Sequence, residues 1–235
     1  MLVTDSLLAD YRAMTDLSQI EDQSALAHLG AQVRKRLADH TEVYSVPNEK
    51  VELYAVGDFA TAEECETLCR LIDETARPSE LYDLERVPDF RTSYSGDLDS
   101  QHPSVSSLSH RIDRLIGVEA EIGEPLQGQR YHPGQEFKPH HDWFHTTEDY
   151  WSIEKARGGQ RSWTAMVYLN TVENGGATYF TEVGLQFIPK PGVLLLWNNA
   201  LADGCPNEAT LHAGMPVVLG SKYVVTKWYR TRKWG

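Results

Sequence analysis

Cysteine is scarce in this sequence, and long apolar runs are missing from it altogether. The three cysteines among 235 residues are Cys65, Cys69 and Cys205, and such an odd, sparse set does not indicate a disulfide framework. The first residues carry acids where a signal peptide would carry bases, and no stretch approaches the length of a membrane span. We therefore expect a cytoplasmic location and no membrane partner, with Cys65 and Cys69 serving as small buried apolar residues.

Basic residues are outnumbered as well. Lysine and arginine total 22 against 34 aspartates and glutamates, which gives a formal net charge of −12. An acidic balance of this size repels phosphates, so we expect no nucleic-acid partner. The length fits one large domain or two small ones, and a hydrophobic content of 41% is ordinary for a globular chain that buries its own core.

The first half of the chain has helical patterns. Apolar residues at spacings of three and four predict a helix over about Glu21–Ala38. After a short expected strand at Val51–Val56, the segment Thr61–Glu64 has the form of a capping box that opens a second helix. A third helix is predicted to begin at Pro103 and to stop near Gly117. We assign residues 1–45 to a helical extension and 46–235 to one domain, with supporting helices over about 61–117.

The second half, over about 120–231, consists of short apolar or alternating runs separated by turn residues. Strands are expected at Leu126–His132, Phe137–Phe144, Trp163–Asn170, Ala177–Thr181, Leu185–Ile188, Gly192–Trp197, Ala209–His212, Pro216–Leu219 and Lys222–Thr231. Many strands without intervening helices indicate a double-sheet jelly roll or a barrel. The predicted fold class is therefore mainly β with flanking helices around a jelly-roll core, also called a double-stranded β-helix. The polar and aromatic segment Thr146–Gly159 is predicted to be a long loop over one mouth of the barrel.

Four histidines, His132, His140, His141 and His145, fall close together and allow three interpretations. His141 and His145 could bind zinc from a helix, but the glutamate of an H-E-x-x-H motif is missing. The cluster could also be polar surface. Alternatively, His140 and Asp142 form an H-x-D pair on one face of a strand. A distant third ligand would then complete the two-histidine, one-carboxylate triad of non-haem Fe(II) sites, and His212 is the sole histidine after His145.

A lysine ten residues beyond His212 extends this pattern. Lys222 shares the parity of Val224, Thr226, Trp228 and Arg230 on the last expected strand. A lysine that points into a barrel is costly to bury unless it meets an anion, such as one end of a dicarboxylic cosubstrate. The alternative is a lysine that simply begins a strand beside a turn.

Together these residues resemble a known family. The segment Leu126–Arg230 resembles the catalytic domain of prolyl 4-hydroxylases, within the Fe(II)/2-oxoglutarate dioxygenases. The matching stretches, in order, are LQGQRYHPGQEFKPHHDWF, GGQRSWTAMVYLN, NGGATYFTEVG, PKPGVLLLWNN and LHAGMPVVLGSKYVVTKW. Upstream, FATAEECETL and the RTS at Arg91–Ser93 resemble the family more faintly, and the first forty or so residues have no match.

The resemblance implies roles for individual residues in the metal and cosubstrate sites. His140, Asp142 and His212 correspond to the iron ligands. Lys222 corresponds to the residue that pairs with the distal carboxylate of 2-oxoglutarate, and Tyr131 to a tyrosine whose hydroxyl assists that lysine. Thr164 is a candidate for the same pocket. The alternatives are that Tyr131 is a core tyrosine and that Thr164 is only a β-former.

Four further residues are assigned to substrate contact. Trp228 corresponds to a tryptophan near the mouth of the site, and Arg230 stands where the family commonly has histidine. We expect the Thr146–Gly159 loop to be mobile in the free protein and to order over substrate, with Tyr150 and Trp151 gripping a peptide chain. The alternative for Trp151 is permanent packing on the rim of the barrel.

The function implied by the resemblance is that of an Fe(II)- and 2-oxoglutarate-dependent hydroxylase. Its substrates would be molecular oxygen and a proline-containing peptide or protein, with ascorbate as reductant. Asp142 favours hydroxylation, because alanine or glycine there would open a halide site. Two alternatives remain open: a hydroxylase of a free amino acid or other small molecule, and a catalytically silent jelly-roll binding protein that has inherited the site.

Overall fold

The computed structural model describes residues 21–79 and 90–235. Its helices are α1 (Gln23–Ala38), α2 (Ala62–Thr75), α3 (Pro103–Ile116) and α4 (Trp151–Arg157). Its strands are β1 (Val43–Ser45), β2 (Leu53–Val56), β3 (Arg77–Pro78), β4 (Tyr94–Asp97), β5 (Gln127–Tyr131), β6 (Phe137–His140), β7 (Arg161–Tyr168), β8 (Asn174–Gly175), β9 (Thr178–Phe180), β10 (Leu185–Phe187), β11 (Leu194–Asn198), β12 (His212–Gly214), β13 (Val217–Leu219) and β14 (Lys222–Arg230). Short 3-10 turns lie at Ala120–Ile122 and Glu208–Thr210.

Two antiparallel sheets form the body of the protein. The larger sheet has eight strands in the order β1-β2-β11-β7-β14-β5-β4-β3, and the smaller has four in the order β10-β9-β12-β6. An apolar cluster joins the two sheets, with Tyr131 and Met166 from the larger and Phe180 from the smaller. The predicted jelly-roll fold is therefore confirmed. No described helix is long and apolar enough to cross a membrane.

The larger sheet has two different faces because side chains alternate along each strand. On β7, Trp163, Ala165 and Val167 join a core cluster that includes the helices. Met166 and Tyr168 on the same strand join the cluster between the two sheets. The larger sheet therefore separates a helix-packed core from an interior that is lined by both sheets.

The predicted helices are present with small changes at their ends. Both hydrogen bonds of the capping box form, from the Glu64 amide to the Thr61 hydroxyl and from the Thr61 amide to the Glu64 carboxylate. Helix α3 begins at Pro103, and Gly117 ends it in the left-handed conformation that glycine adopts without strain. Helix α1 begins two residues later than predicted and buries Val33 and Leu37 in the same cluster as the larger sheet. Residues 1–20 of the predicted extension lie outside the described residues.

Three predicted elements are wrong in detail. Strand β6 stops at His140 instead of running to Phe144, and a 3-10 turn at Glu208–Thr210 occupies half of the predicted strand Ala209–His212. The expected loop over Thr146–Gly159 contains helix α4. Apolar periodicity could not reveal α4, because Glu154 on its buried side is held by an ion pair.

A charged cluster lies between α3 and β14 on the helix-packed side. The Lys227 ammonium donates to the Asp113 carboxylate at 2.6 Å and to the Ser109 hydroxyl at 2.7 Å. The Tyr229 hydroxyl donates to the same Asp113 oxygen at 2.6 Å. Burial lowers the pKa of Lys227, and the Asp113 carboxylate opposes that effect. Asp113 is thus the partner that makes burial of this lysine tolerable.

Replacing Asp113 should therefore destabilise the fold. We expect Asp113→Ala to lower the free energy of unfolding by about 3–5 kcal/mol, because it leaves the buried Lys227 ammonium without its carboxylate. Urea denaturation followed by circular dichroism measures this change. Glu119→Ala, at an exposed acid nearby, should change stability by less than about 0.5 kcal/mol. Equal effects of the two variants would contradict the assignment.

Candidate active site

Three of the predicted ligands converge on one point. His140 ends β6 and His212 begins β12, and the two residues are direct cross-strand partners. Asp142 lies two residues beyond the end of β6. One potential ligand atom from each residue lies within 4.8 Å of the others. The prediction that Asp142 shares a strand face with His140 was wrong. Asp142 lies in a bend after the strand, and this bend brings its carboxylate beside His140.

Backbone carbonyls fix the orientation of both imidazoles. Nδ1 of His140 lies 2.9 Å from the Lys138 carbonyl oxygen, and Nδ1 of His212 lies 3.0 Å from that of Thr210. A carbonyl oxygen only accepts, so each Nδ1 carries the proton and donates. The Nε2 atoms are left without a proton, and each lies 3.9 Å from an oxygen of Asp142. This orientation is typical of histidines that bind a metal through Nε2.

The charge states also suit a divalent metal. Burial lowers the pKa of both His140 and His212, so that the imidazoles stay neutral near pH 7. Burial raises the pKa of Asp142, but His212, His140, Arg161 and the Thr164 hydroxyl together outweigh it and leave that pKa below its usual value. Two neutral nitrogen donors and one carboxylate form the donor set of non-haem Fe(II) sites. The described residues therefore fit the expected metal.

A cavity extends from these three residues into the interior. The larger sheet contributes Gln129, Tyr131, Met166, Trp197, Lys222, Val224, Thr226 and Trp228, and Phe137, Thr178 and Gly214 line the rest. Lys222 is 2% exposed, and its ammonium donates to the Thr178 hydroxyl at 3.4 Å. Among the described residues no carboxylate pairs with Lys222, and burial lowers its pKa to about 7. A buried amine without a counter-ion fits a cavity that receives an anion.

Tyr131 and Thr164 make contacts that differ from those predicted for a cosubstrate pocket. Tyr131 is the cross-strand neighbour of Lys222, but its hydroxyl donates to Gln129 at 3.0 Å and its ring faces the ammonium. Thr164 does not line the cavity; its hydroxyl donates to Asp142 at 2.7 Å. Thr178, which the sequence analysis missed, lies beside Lys222 instead. A threonine in a strand is too common a β-former to have been singled out.

Trp228 lies at the cavity, as predicted, and an arginine covers it. Its side chain is 8% exposed, and the guanidinium of Arg161 lies 4.0 Å from its ring centroid. Arg161 also donates to both carboxylate oxygens of Glu124, at 2.7 and 2.8 Å. Arg161 and Glu124 were missed by the sequence analysis, because their relation to Trp228 arises only from the pairing of β7 with β14.

The prediction that Arg230 contacts substrate is wrong. This side chain is 1% exposed and donates to Glu124 and Glu154, each at 2.5 Å. It also donates to the Gly159 carbonyl oxygen at 2.6 Å. The guanidinium of Arg230 thus donates its hydrogen bonds within the fold, where it joins α4 to the end of β14.

The predicted grip by Trp151 also requires correction, while a substrate contact by Tyr150 stays a prediction. Trp151 is 7% exposed, and its indole nitrogen donates to Glu21 at 3.0 Å. Lys155, one turn later on α4, donates to the same carboxylate at 2.8 Å. The Tyr150 hydroxyl accepts from the His145 amide, and its ring packs against Phe144. Trp151 therefore packs on the rim, which is the alternative that the sequence left open.

Comparisons with known proteins agree with this geometry. A family model for the 2OG-Fe(II) oxygenase superfamily matches residues 126–230. Over 208 residues the chain is 32% identical to Prolyl 4-hydroxylase 2 of Arabidopsis thaliana, covering 77% of this chain and 68% of that protein. It is 36% identical over 151 residues to the human Prolyl 4-hydroxylase subunit alpha-1, covering 64% of this chain. The chain spans just 28% of that human relative.

A solved structure supports the fold independently. The viral collagen prolyl hydroxylase of Paramecium Bursaria Chlorella virus-1, crystallised with 2OG, superposes with a TM-score of 0.59. The match covers 77% of this chain and 96% of the viral one at 24% identity. At that identity the likeness concerns the arrangement of the chain alone.

Removing one converging imidazole should greatly weaken metal binding. We expect His212→Ala to weaken the binding of Mn(II), a redox-stable substitute for Fe(II), by more than about 100-fold. Loss of a residue that orients a ligand typically lowers metal affinity about 10–100-fold, and loss of the ligand itself should lower it further. Titration calorimetry on the metal-free protein measures this change.

His141→Ala is the matched control for that experiment. The His141 ring contacts Trp143 and the Glu208 carbonyl oxygen instead of the converging atoms. Its metal affinity should stay within about threefold of the wild type, as for a substitution outside the site. If His141→Ala abolished binding and His212→Ala did not, the ligand assignment would be wrong.

Proposed function

Because the chain belongs to the 2OG-Fe(II) oxygenase superfamily, as a prolyl 4-hydroxylase-like 2-oxoglutarate-dependent dioxygenase, we propose that it hydroxylates prolyl residues in a peptide or protein. The observation that carries this proposal is one cavity lined both by a two-histidine, one-carboxylate set and by a buried lysine that no described carboxylate pairs with. The names of the plant and human relatives support proline as the target.

The residues that line the cavity would have three separate roles. His140, Asp142 and His212 would hold Fe(II) from one side and leave its other positions open. With 2-oxoglutarate and oxygen, the bound metal supplies the chemistry that converts a C–H bond to C–OH while 2-oxoglutarate becomes succinate and carbon dioxide. Lys222 would bind the distal carboxylate by a charge-assisted hydrogen bond. Apolar side chains such as Met166 and Trp197 would keep water away from the cavity.

Two further parts of the proposal concern conditions in the cell. Ascorbate would serve as the reductant that keeps the metal as Fe(II). A cytoplasmic location is supported by the sparse, odd set of three cysteines in the sequence, which does not indicate a disulfide framework. Activity that is lost over repeated turnovers and restored by added ascorbate would test the first point.

A turnover assay tests the proposed function. The protein is loaded with Fe(II), supplied with 2-oxoglutarate and oxygen, and offered a panel of proline-containing peptides in parallel with free L-proline. Succinate is quantified, and mass spectrometry locates a gain of one oxygen. Hydroxylated peptide that is absent with His140→Ala supports the proposal. Hydroxylation of free proline alone would contradict the proposal and indicate a small-molecule hydroxylase. The absence of succinate with every substrate would indicate a catalytically silent binding protein.

The pKa of Lys222 leads to a prediction about pH. Because burial lowers this pKa to about 7, the amine is mostly neutral above pH 7 before a ligand enters. A bound carboxylate favours the ammonium, so binding must take up a proton above that pH. We expect the affinity for 2-oxoglutarate to fall about tenfold for each pH unit above about 7, as linkage requires. Titration calorimetry with Mn(II) in place of Fe(II), in buffers of different ionisation enthalpy, measures both affinity and proton uptake.

Two methionine variants control the pH experiment. Lys222→Met should bind 2-oxoglutarate about 10–100-fold more weakly at pH 6.5, since it loses a hydrogen bond to a charged group, and should lose the proton uptake. Lys190→Met, at an exposed lysine, should behave as the wild type does. An affinity that stays constant from pH 6.5 to 8.5 in the wild type would show that Lys222 does not face the cosubstrate.

A further inference from the structure

A line of hydrogen bonds leads to the Asp142 carboxylate from behind the cavity. The Asn199 side-chain amide donates to the Thr164 hydroxyl at 2.9 Å, and that hydroxyl donates to Oδ2 of Asp142 at 2.7 Å. Thr164 lies within β7 between Trp197 of β11 and Trp228 of β14. Both Thr164 and Asn199 are at most 1% exposed. Because neither lines the cavity, neither is placed to touch a substrate.

The direction of this line follows from the chemistry of its groups. An amide nitrogen only donates, so the Thr164 oxygen accepts from Asn199. A hydroxyl has a single hydrogen, which is then directed at the carboxylate of Asp142. Asn199 is itself fixed by its backbone amide, which donates to the Ser162 carbonyl oxygen at 2.8 Å. The line is therefore anchored at its far end by the larger sheet.

Asp142 needs such a partner because of its place in the fold. Its neighbours His140 and His212 belong to paired strands, whereas Asp142 lies in the bend beyond β6. The chain is next fixed two residues later, where the Gln160 side chain bonds both the amide and the carbonyl of Phe144. The backbone of the bend is thus held by Gln160, while the rotation of the Asp142 carboxylate depends on its own contacts.

We propose that Thr164 and Asn199 are positioning residues that hold the Asp142 carboxylate toward the Nε2 atoms of His140 and His212. The inference rests on the proposed metal site and assigns roles that go beyond its ligands. Groups that orient a metal ligand typically change metal affinity about 10–100-fold when they are removed. The hydroxyl of Thr164 matters in this role, and its methyl group contributes packing alone.

Metal binding by variants of nearly equal shape tests this assignment. Co(II) is the probe, because calorimetry gives its affinity and its visible absorption reports the geometry of its ligands. Thr164→Val should weaken Co(II) binding about 10–100-fold and alter the absorption. Thr164→Ser keeps the hydroxyl and should restore both the affinity and the spectrum. Asn199→Ala should weaken binding about 2–10-fold, the effect of one neutral hydrogen bond.

Ser162→Ala is the matched control. Ser162 lies two residues before Thr164 on β7, and its buried hydroxyl has no hydrogen-bond partner among the described residues. This variant should bind Co(II) as the wild type does, with the same spectrum. Thermal unfolding of each metal-free variant reports whether the fold is retained.

The outcomes separate this inference from the proposed function. If Thr164→Val folds and binds Co(II) with wild-type affinity and spectrum, the positioning role is overturned and the metal site stands. If Thr164→Val does not fold, the result for Asn199→Ala is used instead. A wild-type Co(II) affinity and spectrum in Asn199→Ala would then overturn the positioning role. If the wild type binds no Co(II), or His140→Ala binds it equally well, the metal site itself is wrong and the inference is overturned with it.

Discussion

The antiparallel pairing of β7 with β14 constrains the core and the candidate site at the same time. Along β14, Val225 and Tyr229 pack with the helices, while Lys222 and Trp228 line the cavity. A shift of one residue in the pairing would exchange these two sets. It would place the cavity lysine in the helix-packed core and core residues in the cavity. The register that buries the apolar core is therefore the register that builds the site.

Much of this arrangement could be predicted because it depends on local periods and spacing. Strand parity predicted that Lys222 and Trp228 lie on one face, and the H-x-D pair with one late histidine predicted the converging triad. The errors share a physical cause. Arg230 and Trp151 were assigned to substrate, but their partners Glu124 and Glu21 lie 106 and 130 residues away in the chain. A sequence pattern carries no information about which distant carboxylate a buried side chain will meet.

The site also shows a division between backbone and side-chain control. His140 and His212 are fixed twice, by strand pairing and by a carbonyl on Nδ1. Asp142 has neither support, and its carboxylate is oriented by a hydroxyl from the opposite sheet. Preorganisation of the three donors thus depends on ordinary sheet geometry for two of them and on one side-chain contact for the third.

The buried ion pairs of Arg230 have a consequence for how this chain can diverge. Arg230 stands where the family commonly has histidine, and here it forms ion pairs with both Glu124 and Glu154. Replacing Arg230 with histidine would remove one ion-pair partner from two buried carboxylates at once. Arg161 would still pair with Glu124, and the half-exposed Arg157 would still lie 3.4 Å from Glu154. Substitutions at position 230 are thus energetically coupled to the residue at position 154, because loss of the arginine removes a buried ion pair of Glu154.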